Sequence, residues 1–209
     1  MRKKTGNKLH TWEAALLLAV AAALLWGACT LQRQDALEQK VVRLHVIANS
    51  DSEADQALKL RVRDRVLVLT EDILRQSGDM EEARQRLAEA LPRLQQTAAE
   101  EIAAQGSRYT VSARLEETEF PTREYDGFAL PSGEYLALRV VIGEGAGKNW
   151  WCVVFPTLCT AATSDEAELQ AAAGGFDEDE AAWITEEQPE YRLRFKTLEW
   201  LQKLKELFS

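Results

Sequence analysis

Between Val41 and Ala48 the chain alternates, with Val42, Leu44 and Val46 on one side and Arg43, His45 and Ile47 on the other, which predicts a strand. Asn49-Ser50-Asp51-Ser52 then offers turn and N-cap chemistry, and Ser52-x-x-Asp55 has the form of a capping box. Leu58, Val62, Val66, Leu69 and Ile73 recur at helical spacing, predicting a helix to about Gln76 that Gly78 stops. A second helix is expected from Met80 to about Gln105, with Ala83, Leu87, Leu91, Leu94, Ala98 and Ile102 on one face. Pro92 lies inside it and is expected to kink or split it; Gly106 closes it.

The period then becomes two. Tyr109, Val111, Ala113 and Leu115 alternate with polar neighbours as a half-buried strand requires, and Leu136, Leu138, Val140 and Ile142 form a second such stripe. Pro121, Gly127, Pro131 and Gly133 between them predict turns and an edge hairpin. Trp150 to Phe155 is apolar on both faces, so it is expected as a central strand or one covered on both sides. Residues 163–190 hold ten acids and no base, which predicts a solvated loop with a short helix near Asp165–Ala172. A strand over Tyr191–Phe195 and a helix carrying Leu198, Leu201, Leu204 and Phe208 finish the chain. These elements make one α+β domain: a small, mostly antiparallel sheet, two long N-terminal helices and a C-terminal helix. The division expected is a signal or anchor segment over 1–31, a linker over 32–40 and the domain over 41–209, with 163–190 as its acidic loop.

The amino terminus is patterned differently. Arg2, Lys3, Lys4 and Lys8 precede fifteen uncharged, mostly apolar residues from Ala14 to Ala28, the layout of an export signal with its bases left in the cytoplasm. Extended through Leu31, the run is roughly 27 Å long as a helix, close to the thickness of a bilayer core. Cleavage, retention as an anchor and lipidation at Cys29 all stay open: Trp26 stands where a signal peptidase expects a small residue and a lipoprotein signal an aliphatic one.

Charge narrows the function. The chain carries 25 bases and 34 acids; past residue 10 only 21 bases face all 34 acids, a net −13. Such a body has no footprint for a phosphate backbone, so nucleic-acid binding is excluded. His45 is the one histidine beyond the signal region, and together with Cys152 and Cys159 it falls short of a zinc site. A Cys152–His45 nucleophile–base pair has no local signature to support it. Gly143, Gly145 and Gly147 miss the phosphate-loop pattern, because Ile142 stands at its first glycine and Asn149 at its hydroxyl position; they are expected as a flexible hairpin connection. Neither an enzyme, a cofactor, a metal nor a small-molecule substrate is expected.

Outside the cytosol Cys152 and Cys159 suit a disulfide across the Phe155-Pro156-Thr157 turn, the other reading being two buried thiols. Of Trp150 and Trp151, either one fills the core and the other covers the sheet's second face, or one anchors a partner. Arg61, Arg63 and Arg65 fit the solvated side of the first helix of the domain.

The run Arg43-Leu44-His45-Val46-Ile47-Ala48-Asn49-Ser50-Asp51-Ser52, continued by Asp55 to Leu60 and Val62-Arg63-Asp64, resembles the opening of the stage II sporulation protein R family. Phe120-Pro121-Thr122-Arg123 and Leu130-Pro131-Ser132-Gly133-Glu134-Tyr135 resemble its middle, Asn149 to Pro156 with Leu158-Cys159 its most distinctive segment, and Arg194-Phe195-Lys196 its tail. The chain departs from the family in 163–190 and at Thr157, where a second proline is expected. The resemblance implies a signalling protein of endospore formation. It would be exported from the forespore into the space between the septal membranes and would activate a membrane-embedded aspartic protease that processes pro-sigma-E. It carries over no catalytic residue. The contact surface expected for that protease is Asn49, Ser50, Asp51 and Asp55 with Trp150, Trp151 and Phe155. Two other classes remain as alternatives: an exported thiol enzyme using Cys152, and a lipid- or helix-anchored structural protein binding the cell envelope.

Overall fold

A computed structural model describes residues 11–125, 128–160 and 164–185. The expected strand at 191–195 and the closing helix lie outside these residues. The elements in order are α1 (Thr11–Glu38), β1 (Val42–Ile47), α2 (Glu53–Leu74), α3 (Met80–Ala104), β2 (Val111–Phe120), β3 (Arg123–Tyr125) and β4 (Phe128–Leu130). They continue with β5 (Gly133–Ile142), β6 (Asn149–Phe155), α4 (Ser164–Ala173) and α5 (Glu178–Thr185). Among the described residues four strands form a sheet in the order β2-β5-β1-β6; β3 and β4 pair with each other as expected, but as a separate two-stranded ribbon and not at the edge of that sheet. Only β1 and β5 run parallel among the described residues; the other pairs are antiparallel.

Helices α2 and α3 cover one face. Ser52 caps α2, its hydroxyl accepting from the Asp55 amide (3.2 Å), and Asp79 caps α3 through the Glu82 amide. The stripes Leu58, Val62, Val66 and Ala83, Leu87, Leu94, Ala98, Ile102 pack on Val42, Leu44, Val46, Leu138 and Val140 as one core. Pro92 does not split α3, which runs as one helix from Met80 to Ala104. Both Pro92 and Ala88, whose carbonyl loses its donor, are exposed, so that carbonyl is open to solvent rather than orphaned in the core. Gly106, at φ 75°, ends α3 as expected: its amide reaches Ala103 O and that of Ser107 reaches Ile102 O.

The second face is where pattern and structure part. Although polar residues alternate with apolar ones along it, every residue of β1 is buried. Leu37 from α1, Phe128 and Leu130 from β4, and Ala167, Ala171, Ala181 and Ile184 from α4 and α5 build a second core over Ala137 and Val153. The acidic stretch is therefore not a solvated loop over its described part: it forms α4, close to the short helix expected there, and α5, and Ala167, Ala171, Phe176, Ala181 and Ile184 face inward while Glu166, Glu168, Leu169 and Asp177 are exposed. Among the described residues β6 lies at the edge of the sheet, covered on both sides over Cys152–Phe155. The segment over 32–38, read as a linker, continues α1 onto the domain: Leu37 is fully buried and Gln34 Nε2 donates to Ser132 O (2.7 Å). Upstream, α1 is long and apolar enough to cross a membrane, and the candidate span is not buried in the fold. That agrees with a signal or anchor segment.

Cys152 and Cys159 are bonded, with α-carbons 5.7 Å apart. The bond closes the turn joining the covered end of β6 to the short 3₁₀ turn Leu158–Thr160. A ring of this size is expected to contribute about 2.5 kcal/mol. Reducing it should lower the Tm of the full chain in detergent by roughly 5 to 10 °C. An unchanged Tm with both thiols shown to be free would refute this.

Candidate functional site

The peptide turn after β1 and the glycine-rich connection after β5 meet at one end of the sheet. Because β1 lies between β5 and β6, the connection is no hairpin; it crosses over the end of β1. The Ala146 amide donates to Asn49 O (3.1 Å) and the Gly147 amide to Ala48 O (3.0 Å). Asn49 Oδ1 accepts from the Glu144 amide (3.0 Å) and Asp51 Oδ1 from the Lys148 amide (2.7 Å). Gly147 packs on the Ser50 carbonyl so closely that a Cβ would overlap it. The expected flexible connection is thus stitched down.

Asp55 holds the turn from below. Its carboxylate accepts from Ser50 Oγ (2.6 Å) and Asn49 Nδ2 (2.9 Å), and these two bonds, in that order, hold its pKa below the ordinary aspartate value. The capping box is therefore half used: Ser52 caps the helix, while the Asp55 side chain turns to the preceding turn. Lys59 is buried beside it, donating to Gln56 Oε1 (2.7 Å) and Lys148 O (3.0 Å), and burial lowers its pKa. On its other side Asp55 borders a groove of about 310 Å³ lined by Leu58, Arg61, Gly106 and Tyr109. The charge of Asp55 raises the Tyr109 pKa.

Trp150 and Trp151 project to opposite faces, as their neighbouring positions in a strand require. Trp150 packs against the α2–α3 core with the Arg63 guanidinium 4.6 Å above its ring, so Arg63 does more than line a solvated face. Trp151 lies against the second core with Arg123 at 4.1 Å and His45 at 5.8 Å. Both rings are half-buried. Of the expected contact residues, the structure brings together Asn49, Ser50, Asp51, Asp55 and Trp150. Trp151 is on the reverse face. Phe155 is 3% exposed at the far end of β6, paired with Val42, and fills the core.

His45 is 7% exposed in mid-sheet, its Nε2–H donating to Asn149 Oδ1 (3.0 Å). Cys152, tied in its disulfide, has no thiol to offer as a nucleophile. Burial lowers the His45 pKa, opposed by the Asn149 bond and reinforced by Arg139 and Arg43. The unfolded chain therefore binds this proton first as pH falls. Stability is expected to be full above about pH 6.5 and to decline towards pH 5, with a flatter decline in His45→Gln. Denaturant melts of both chains at pH 7, 6 and 5 test this; parallel declines would refute it.

Sequence pattern missed Arg43, fully buried between Phe120 and Tyr135 with its ring contacts at 4.0 and 4.9 Å. It missed the docked end of α1 as well, where Lys40 Nζ also bonds Glu180 of α5 (2.6 Å).

A sequence model of the family described as Stage II sporulation protein R matches residues 38–165, more than half of the chain. The match starts on the docked end of α1 and stops at the start of α4. Stage II sporulation protein R of Bacillus subtilis (strain 168) is 35% identical over 148 residues, covering 69% of this chain and 66% of that protein. The chain thus spans just under two thirds of that relative's length. No solved structure matches.

Proposed function

The chain belongs to the stage II sporulation protein R family, and from that premise we propose that it is a signal of endospore formation. It is exported from the forespore to the septal intermembrane space and activates a membrane-embedded aspartic protease, which then processes pro-sigma-E. The observation that carries this reading is the family match over 38–165. The apolar α1 supports it by supplying an export or anchor segment. A protein that acts on a protease by binding must hold the active arrangement more tightly than the inactive one. The stitched end of the sheet suits such a role: its turn is ordered before contact, so little conformational entropy is lost on binding. Asp51 is exposed there, and Trp150 with Arg63 above its ring is half-buried on the α2–α3 side.

The test is reconstitution in a non-sporulating host with the organism's sporulation protease and tagged pro-sigma-E. Cleavage is expected only with this chain and only when residues 1–31 direct its export. Trp150→Ala, shown to be folded, is expected to lower cleavage about tenfold, the size of one aromatic hot spot. No cleavage with all three proteins present and this one exported would overturn the signalling role. Wild-type cleavage by the folded Trp150 variant would move the contact elsewhere.

A further inference from the structure

At the opposite end of the first core, the C-termini of α2 and α4 converge on the turn Phe155-Pro156-Thr157 and leave a groove of about 380 Å³. Its floor is apolar, from Leu74, Phe155, Pro156 and Gly174. Three of its lining residues are unusual: Glu71, Ser77 and Gln170 each carry a buried oxygen (Oε1, Oγ and Oε1) that has no hydrogen-bond partner among the described residues. Two of the three are pure acceptors and the third is a hydroxyl that can accept. Leaving buried acceptors unmade costs free energy, so the arrangement favours a donor from outside.

The field has the same sign. Both helices end here, at Leu74 and Ala173, and neither has a base in its last turn, so two negative helix ends add to the Glu71 carboxylate. Among the groove's lining residues the one cation is Arg75, and its side chain is 74% exposed and turned to Asp72 (3.2 Å). Beyond residue 10 the chain is also acidic overall, at net −13.

We infer that this groove is a binding site for a basic side chain, arginine above lysine, presented by a segment of a partner protein. A planar guanidinium offers several N–H donors to the separated acceptors, while its aliphatic stem lies on Leu74 and Pro156. An ammonium donates from one point and reaches fewer of them. A bare metal ion suits the site poorly, because Glu71 is the one carboxylate lining it. This inference stands apart from the signalling role, because it is read by direct binding and not by cleavage.

The full chain, labelled with ¹⁵N in detergent micelles, is titrated with the peptide Ac-Ala-Arg-Ala-NH2 and with its citrulline counterpart, which keeps the shape and loses the charge. Saturable shifts are expected at the Ser77 and Gly174 amides, with a Kd on the order of 1 mM for the arginine peptide. The citrulline peptide is expected to bind at least about tenfold more weakly. Glu71→Gln should also weaken arginine binding about tenfold with the Tm unchanged, since Glu71 Oε1 serves no partner in the fold. Gln170→Met, which removes an acceptor at similar size, is the second variant. Absence of saturable shifts at those amides, equal binding of citrulline, or full binding by both variants would overturn the inference.

Discussion

Gly147→Ala is expected to destabilise the fold by about 3 to 5 kcal/mol and to abolish signalling. The added methyl would overlap the Ser50 carbonyl, which is backbone and cannot swing aside as a flexible side chain would; Ala48 Cβ is the next obstacle, at 2.9 Å. Overpacking of this kind costs about 1 to 3 kcal/mol. Moving the loop to relieve it also breaks the bonds from the Ala146 and Gly147 amides to Asn49 O and Ala48 O, worth about 1 kcal/mol each. The same shift unseats Asn49 and Asp51 from the Glu144 and Lys148 amides, so the proposed contact surface goes with it. Gly106→Ala is the control. Gly106 has positive φ with nothing within 4 Å of a Cβ, so only backbone strain of about 1 to 2 kcal/mol applies. Denaturant melts of the two full chains in detergent decide it. If Gly147→Ala costs no more than Gly106→Ala, the crossing loop is not the clamp described.

Local chemistry made much of this legible. The α3 stripe, the Ser52 cap, the Gly106 stop, the β5 alternation and the Cys152–Cys159 pair each depend on residues within one element or a few positions apart. What stayed hidden depends on distant partners. Arg43 and His45 look solvent-facing because polar residues alternate with Val42, Leu44 and Val46. They are buried because Leu37, the β3–β4 ribbon and α4 with α5 come back over that face from both ends of the chain. Gly147 looks like a flexible linker residue until Ser50, nearly a hundred positions earlier, is laid against it. The turn at Asn49–Asp55 was visible as turn chemistry. Its union with the Gly143–Lys148 loop was not, because that requires β1 to lie between β5 and β6.

Arg43 gives the sharpest test of what buried polarity does here. Arg43→Ala is expected to cost about 3 to 5 kcal/mol, whereas Arg43→Met should leave stability equal to wild type or raise it by about 1 to 3 kcal/mol. The guanidinium is fully buried, 4.0 Å from the Phe120 ring centre; Nη2 donates to the Tyr125 hydroxyl (2.8 Å), while Nε and Nη1 have no hydrogen-bond partner among the described residues. The stacking contributes about 2 kcal/mol in a desolvated setting and the bond to Tyr125 about 2 more. Against them stands the cost of taking a charge out of water, several kcal/mol per ion even after relaxation. Alanine loses the packing and leaves a cavity beneath Phe120 and Tyr135; methionine keeps most of the volume and removes the charge. Guanidinium-chloride melts of the three full chains in detergent separate the two terms. A methionine variant as unstable as the alanine one would mean that the charge itself holds the second core together. Because Arg43 is fully buried, no partner can touch it, and a folded Arg43→Met chain is expected to support pro-sigma-E cleavage as wild type does.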